Sequence, residues 1–163
     1  MAPEGVPQLA GRRRARWPAL AAVALVVAMP VAVWWAVGDV SAPEATAIPD
    51  PDYQIHPFDI APTTERVVGV GAVVLVAVSV GALVIALWSG RMHRLWWPVL
   101  LQLSLAGAVC GAGWRVLTAA VIGANIGAGL VILFGGPLVL LMLVTALGRT
   151  VELIGQHRQR STR

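Results

Sequence analysis

Lysine is missing from this chain, and all twelve of its basic side chains are arginine. That excludes a Walker phosphate loop, which needs an ammonium group directly after its glycines. Cysteine is almost missing too. Cys110 alone cannot close an intrachain disulfide, and no histidine lies close in sequence to activate it as a nucleophile. Charged residues make up only 12% of the chain, about half the ~25% of ordinary globular proteins. No acidic residue falls deep in any long apolar run, so the intramembrane carboxylates on which proton-coupled carriers generally rely are lacking. Zinc-finger spacing, aromatic–basic RNA motifs and long basic helices are also absent, so the formal charge of +4 does not point to nucleic acid. No serine, histidine and aspartate fall into a convincing triad. The chain is therefore read as a non-enzyme, with no cofactor and no resident metal.

What the chain has in abundance is apolar length. Hydrophobic residues make up 58% of it, and its mean hydropathy is +0.77. A helix needs roughly 20 apolar residues to cross a bilayer core. Runs of that order occupy residues 17–37, 67–88 and 96–113, and an over-long one extends from Val116 to Leu147. The last allows two readings. Residues 114–127 are either an outer segment or the start of a tilted fourth span, whose core is 128–147. Trp17, Trp34, Trp35, Trp96 and Trp97 sit at the ends of runs, where indoles favour the membrane–water interface. Pro30 falls inside the first run and predicts a kink or tight packing there. That run exceeds the 7–15-residue apolar region of a signal peptide. It is therefore read as an uncleaved anchor rather than a leader removed after Ala42 or Ala47.

The predicted fold is an all-α integral membrane protein, a small four-helix transmembrane bundle with a proline-rich acidic exocytoplasmic loop. Arginines crowd the tail 1–16, the turn 89–95 and the tail 148–163, whereas segment 38–66 carries Asp39, Glu44, Asp50, Asp52, Asp59 and Glu65 against Arg66. Four spans place every basic cluster on one side, which the positive-inside rule makes cytosolic. Both termini are then cytoplasmic, in a multi-pass protein of the cell membrane. Arginine without lysine, with abundant alanine, valine and glycine, points to a bacterial inner or plasma membrane. Five prolines deny segment 38–66 a long helix or central strand. Thr63 or Thr64 is expected to cap the helix that follows.

The stretch GANIGAGLVILFGGP, residues 123–137, resembles a ligand loop only superficially. A dinucleotide fingerprint opens a βαβ unit, and nothing here does. Gly123 and Gly127 are spaced to share a helical face, and Gly107 and Gly111 repeat the spacing. Such small residues let helices approach closely in lipid. These four glycines are the candidate packing positions, and a bent or unwound segment near Gly135-Gly136-Pro137 is the rival reading. Gln102, Ser104 and Asn125 are candidate intramembrane polar contacts, with Asn125 expected to bond Gln102 or Ser104. Arg115, beside Trp114, is read first as an interfacial anchor and next as a candidate partner of Asp59 or Glu65 in an ion pair that locks the loop. The segment DPDYQIHPFD, residues 50–59, gathers oxygen and imidazole ligands but matches neither a calcium loop nor a zinc motif, so it is read as a solvated acidic loop. The expected partners are the lipid bilayer and either a second copy or a larger membrane complex. An oligomeric channel or transporter component is the alternative function.

Overall fold

The computed structural model describes residues 17–49 and 51–161, and for Ile154 and residues 156–161 the backbone only. Expectations for the tail 1–16, Asp50 and residues 162–163 lie outside the described residues. Four helical segments are long and apolar enough to cross a membrane, and they end at Val37, Trp88, Leu117 and Leu153. Helix α1 spans Trp17–Val37. A four-residue helix, α2, covers Pro43–Thr46. Helix α3 spans Pro62–Trp88. A 3-10 turn at Arg94–Trp96 leads into α4, Trp97–Leu117. The last segment is composite. Helix α5, Ile126–Leu130, passes through a π turn at Val131–Gly135 into α6, Gly136–Ser161. Valine-rich runs that would suit a strand in water become helices because hydrocarbon cannot satisfy a strand's backbone groups.

Two boundaries differ from expectation, each for a physical reason. Helix α3 starts five residues early, at Pro62, and its N-cap is Ala61 with no side-chain cap bond, so neither Thr63 nor Thr64 caps it. A proline fits the first turn because its missing N–H would have had no helical partner. Helix α4 continues through Trp114-Arg115 to Leu117 instead of stopping at residue 113. An arginine in the last turn sits at the negative end of the helix dipole. The outer segment thus shrinks to 118–125 and contains a two-residue strand, β2, at Ala120–Val121. It pairs antiparallel with β1, Asp52–Tyr53, in the register Asp52 to Val121 and Tyr53 to Ala120.

Helix α1 is central. It packs on α3 and on α4, and α6 packs against α4, so the four helices form the row α3–α1–α4–α6. Leu25, Leu83 and Leu100, one each from α1, α3 and α4, make the main apolar cluster near the end that carries the arginine turn 89–95. At the other end, called here the loop end, tightness comes from glycine. A Cβ on Gly111 would fall 2.2 Å from the Pro30 carbonyl oxygen and 3.0 Å from the Trp34 nitrogen. One on Gly107 would fall 3.1 Å from Pro30 Cδ. The two glycines of α4 therefore straddle the proline of α1, and a Cα hydrogen of Gly111 points at a carbonyl oxygen, a weak but recurrent contact between helices. Gly69 of α3 does the same for Trp35, whose ring occupies the space of the absent side chain.

The other glycine pair behaves differently. Gly123 lies outside any helix, at a bend with φ +78°, so it shares no helical face with Gly127. Its left-handed backbone is what requires glycine there. Gly127 packs against Val116 and the capping Asn125 side chain rather than another membrane-length helix's backbone. The interruption foreseen near Gly135-Gly136-Pro137 takes the form of the π turn. Gly136 N–H donates to the Val131 carbonyl, five residues back. Pro137 has no N–H for the usual bond to Leu133, and a widened turn just before it accommodates that loss.

Candidate functional site

The loop end is organised by Arg115. Its helix delivers the guanidinium to the junction of three helices. Nε donates to the Trp34 carbonyl at 2.8 Å, a group in the last turn of α1 that has no intrahelical partner. The guanidinium carbon lies 4.2 Å from the centroid of the Trp34 ring, a cation–π distance. Nη2 makes a salt bridge to Glu65 in the first turn of α3. The Arg115 side chain is only 14% exposed, so its three contacts act away from bulk screening. Of the two carboxylates considered for it, Glu65 holds it. Asp59 is exposed and makes no salt bridge among the described residues. Position in the first helical turn explains the selection, because the adjoining helix packing fixes Glu65 whereas Asp59 sits between prolines in irregular chain.

The 38–66 segment is tied down along its length. Ser41 N–H donates to Asp39 Oδ1 at 2.9 Å, forming an Asx turn. The Ser41 hydroxyl then accepts from Ala120 N–H at 3.0 Å, and Ala42 N–H donates to the Ala120 carbonyl at 3.0 Å. Further on, Ile55 N–H donates to the Leu117 carbonyl at 3.1 Å, and Asp52 Oδ2 accepts from Gly123 N–H at 3.0 Å. Residues 120–121 are thus held between 41–42 and 52–53. The Phe58 ring stacks on Trp114, with centroids 5.6 Å apart and planes at 14°. The Asp39 carboxyl is held below its ordinary range, chiefly by the nearby Ser41 hydroxyl and then by the Ser41 N–H. Partial burial opposes this, and the Arg115 charge adds a smaller pull.

Asn125, read above as an intramembrane contact, is the N-cap of α5. Its Oδ1 accepts from Ala128 N–H at 2.8 Å, and its Nδ2 donates to the Val116 carbonyl at 3.4 Å. It bonds neither Gln102 nor Ser104, because it stands at the loop end, where α5 begins. Asparagine before an apolar helix is a strong capping signal, so this role was available from sequence. Gln102 instead donates from Nε2 to the Thr145 hydroxyl, joining α4 to α6. Ser104 is buried, and its hydroxyl has no hydrogen-bond partner among the described residues. Among the described residues, no group of three His, Cys, Asp or Glu side chains is gathered as a metal site. His56 of the acidic segment instead lies against Tyr53, ring centroids 5.1 Å apart.

From the sequence, Tyr53 and Phe58 could pin the loop against helix ends or a partner protein, and Phe58 does stack on Trp114 near the end of α4. Trp34 had only its placement at the end of an apolar run as a signal, and Ser41 had none. Around them the loop presents Ile48, Ile55 and Phe58 to the exterior, Phe58 at 71% exposure, interspersed with the exposed Glu44, Asp52 and Asp59. No protein-family model matches the chain, and no curated protein or solved structure matches it.

Proposed function

We propose that this chain is a non-catalytic accessory or assembly protein of a bacterial cell membrane, presenting its acidic loop on the exocytoplasmic side to a larger membrane complex or to another copy of itself. The observation that carries this reading is the pinned loop. A segment serving only to connect two spans needs neither a strand pairing nor a clamp at Ala120. Here such ties hold apolar and acidic side chains outward in a fixed arrangement. Exposed apolar groups on an ordered polar segment are the ordinary mark of a docking surface. The orientation rests on the arginine clusters, which the positive-inside rule assigns to the cytosol. The alternative, an oligomeric channel or transporter component, draws on Gln102 and the π turn, and loses Asn125, which is engaged in capping.

The test uses the exposed Gln54 as a photo-crosslinking position in native membranes. A specific adduct, with either a defined neighbour or the chain itself, is the expected result. Light scattering of detergent-solubilised protein reports the size of the assembly. A strictly monomeric protein with no specific adduct refutes the proposal. Orientation is checked by Gln54→Cys and Ser89→Cys in a Cys110→Ala background, both positions being exposed. An impermeant thiol reagent should label position 54 in intact cells and leave 89 unlabelled.

A further inference from the structure

At the arginine end, α3 and α4 are joined by a turn tied back to the last turn of α3. Gly90 takes φ +66°, and Arg91 and Met92 N–H both donate to the Ala86 carbonyl, at 3.0 and 3.2 Å. His93 Nδ1 accepts from Leu95 N–H at 3.4 Å and starts the 3-10 turn. This geometry sets Trp88, the last residue of α3, across from Trp97, the first residue of α4. Arg94 is three residues before Trp97, so both project to the same side of the helical start. Between them lies a cavity of about 280 Å³ lined by Leu87, Trp88, Arg94 and Trp97. Trp88 is 86% exposed, the most exposed large hydrophobic residue described. The single salt bridge among the described residues is Arg115–Glu65, at the opposite end. Among the described residues Arg91 and Arg94 make no salt bridge, and no acidic residue occurs between Glu65 and Glu152.

We propose that this cavity binds the headgroup of an anionic phospholipid, with the phosphate on Arg94 and the first methylenes of the chains between Trp88 and Trp97. Three observations select that occupant. The walls are two indoles at the ends of membrane-length helices, where tryptophan meets the glycerol region of a bilayer. The polar group is a guanidinium, whose planar fork matches phosphate oxygens. The volume is just below the ~300–1,000 Å³ of sites that enclose whole small ligands, which suits a headgroup and the start of its chains while the rest stays in the bilayer. A soluble anion would use Arg94 but would leave both indole walls in contact with water. The proposal depends neither on the accessory role nor on the direction of insertion.

The full chain, purified in detergent, is mixed with equal amounts of dioleoylphosphatidylglycerol and dioleoylphosphatidylcholine, and the lipids retained on it are counted by native mass spectrometry. A basic side chain near a membrane surface contributes about 1 kcal/mol toward anionic lipid, equivalent to about fivefold in affinity. Wild type should retain phosphatidylglycerol in preference. Arg94→Gln should lower that preference about fivefold, and Trp88→Ala should lower total retention at unchanged charge. Arg149→Gln, an exposed arginine of α6 away from the cavity, should change the preference less than twofold. Arg94 and Trp88 are both exposed, and circular dichroism in phosphatidylcholine confirms that each variant is folded. Equal losses from Arg94→Gln and Arg149→Gln would show diffuse surface charge and overturn the site. So would Trp88→Ala with wild-type retention, or displacement of phosphatidylglycerol by millimolar glycerol phosphate.

Discussion

Gly111→Ala places one methyl group where α1 and α4 touch. The added carbon would fall 2.2 Å from the Pro30 oxygen, and real Cβ atoms essentially never come within 3.0 Å of such a neighbour. Because the obstacle is backbone, no rotamer change relieves it, and the helices must part by about 0.8 Å, the difference between those distances. A rigid separation of that size along the Arg115–Trp34 direction would stretch their 2.8 Å bond to about 3.6 Å, outside hydrogen-bonding range. Overpacking of this kind costs about 1–3 kcal/mol, and the weakened bond adds about 1.5 kcal/mol where the acceptor faces a charged donor. The expected loss is therefore about 2.5–4.5 kcal/mol. Gly81→Ala is the control, since a Cβ there meets nothing within 4 Å. Both substitutions carry the same gain in helix propensity, up to ~1 kcal/mol, so the difference between them isolates the steric term. Unfolding in mixed micelles of rising dodecyl sulfate content, followed by tryptophan fluorescence, measures it. If Gly111→Ala unfolds with Gly81→Ala, the close approach of α1 and α4 is wrong.

Arg115→Gln should destabilise the loop end by about 2 kcal/mol, the scale of a charge-assisted hydrogen bond lost without replacement. Proteolysis within residues 50–60 of the folded protein should rise with it, and unchanged cleavage would show that the loop is held without Arg115. For Asp39 the folded carboxyl titrates below the ordinary carboxylate value, chiefly because the Ser41 hydroxyl holds its charged form. Its contribution is thus present above that value and is lost as pH falls through the lower, folded one. Thermal midpoints should fall as pH drops below the ordinary carboxylate range of about 4, and Asp39→Asn should shrink that fall; an equal fall in both proteins refutes the link. Gln102→Leu should weaken the α4–α6 contact by ~0.6 and at most ~1.7 kcal/mol. A Val109→Cys, Gly135→Cys pair in a Cys110→Ala background reads this as reduced disulfide yield, and an undiminished yield would show that Gln102 and Thr145 do not hold the helices together.

The four membrane-length helices were legible because hydrocarbon removes the alternatives: a run of twenty apolar residues has little choice of conformation. What failed to show was structure decided by a few atoms. The pairing of Asp52–Tyr53 with Ala120–Val121 joins two short segments far apart in sequence, with no alternation or turn signal to announce either. Asn125 was misplaced because Val116 to Leu147 reads as one apolar stretch, and small residues such as Ala119, Ala120 and Ala124 are equally at home in a span and in a tight loop. Helix-face arithmetic on Gly123 and Gly127 assumed a helix that begins only at Ile126. For Gly107 and Gly111 the same arithmetic applied to residues inside a continuous helix, and the approach to Pro30 followed. The partner could not be read, since spacing identifies a small face but not what lies against it.

The row α3–α1–α4–α6 bears on how such a chain assembles. Only 6% of the most apolar window of the last segment is buried within the chain, against 28% for α4. In water that imbalance would demand cover, but in a bilayer lipid covers an apolar helix about as well as protein does. Attachment of α6 therefore depends on shape and on polar bonds. Gly113 admits the Val131 side chain, with a Cβ there only 3.0 Å from Cγ1, and Gln102 reaches Thr145. Beside these contacts, a groove of about 420 Å³ lined by Cys110, Trp114, Leu117, Ile132 and Val139 leaves part of the seam between α4 and the last segment open. By contrast, α1 is gripped on both sides, by α3 through Gly69 and by α4 through Gly107 and Gly111. Arg115 then fastens α1, α3 and α4 to one another at the loop end. The three helices that support the loop are thus held to one another by close backbone approach and by Arg115, whereas the last segment meets α4 through Gly113 and Gln102.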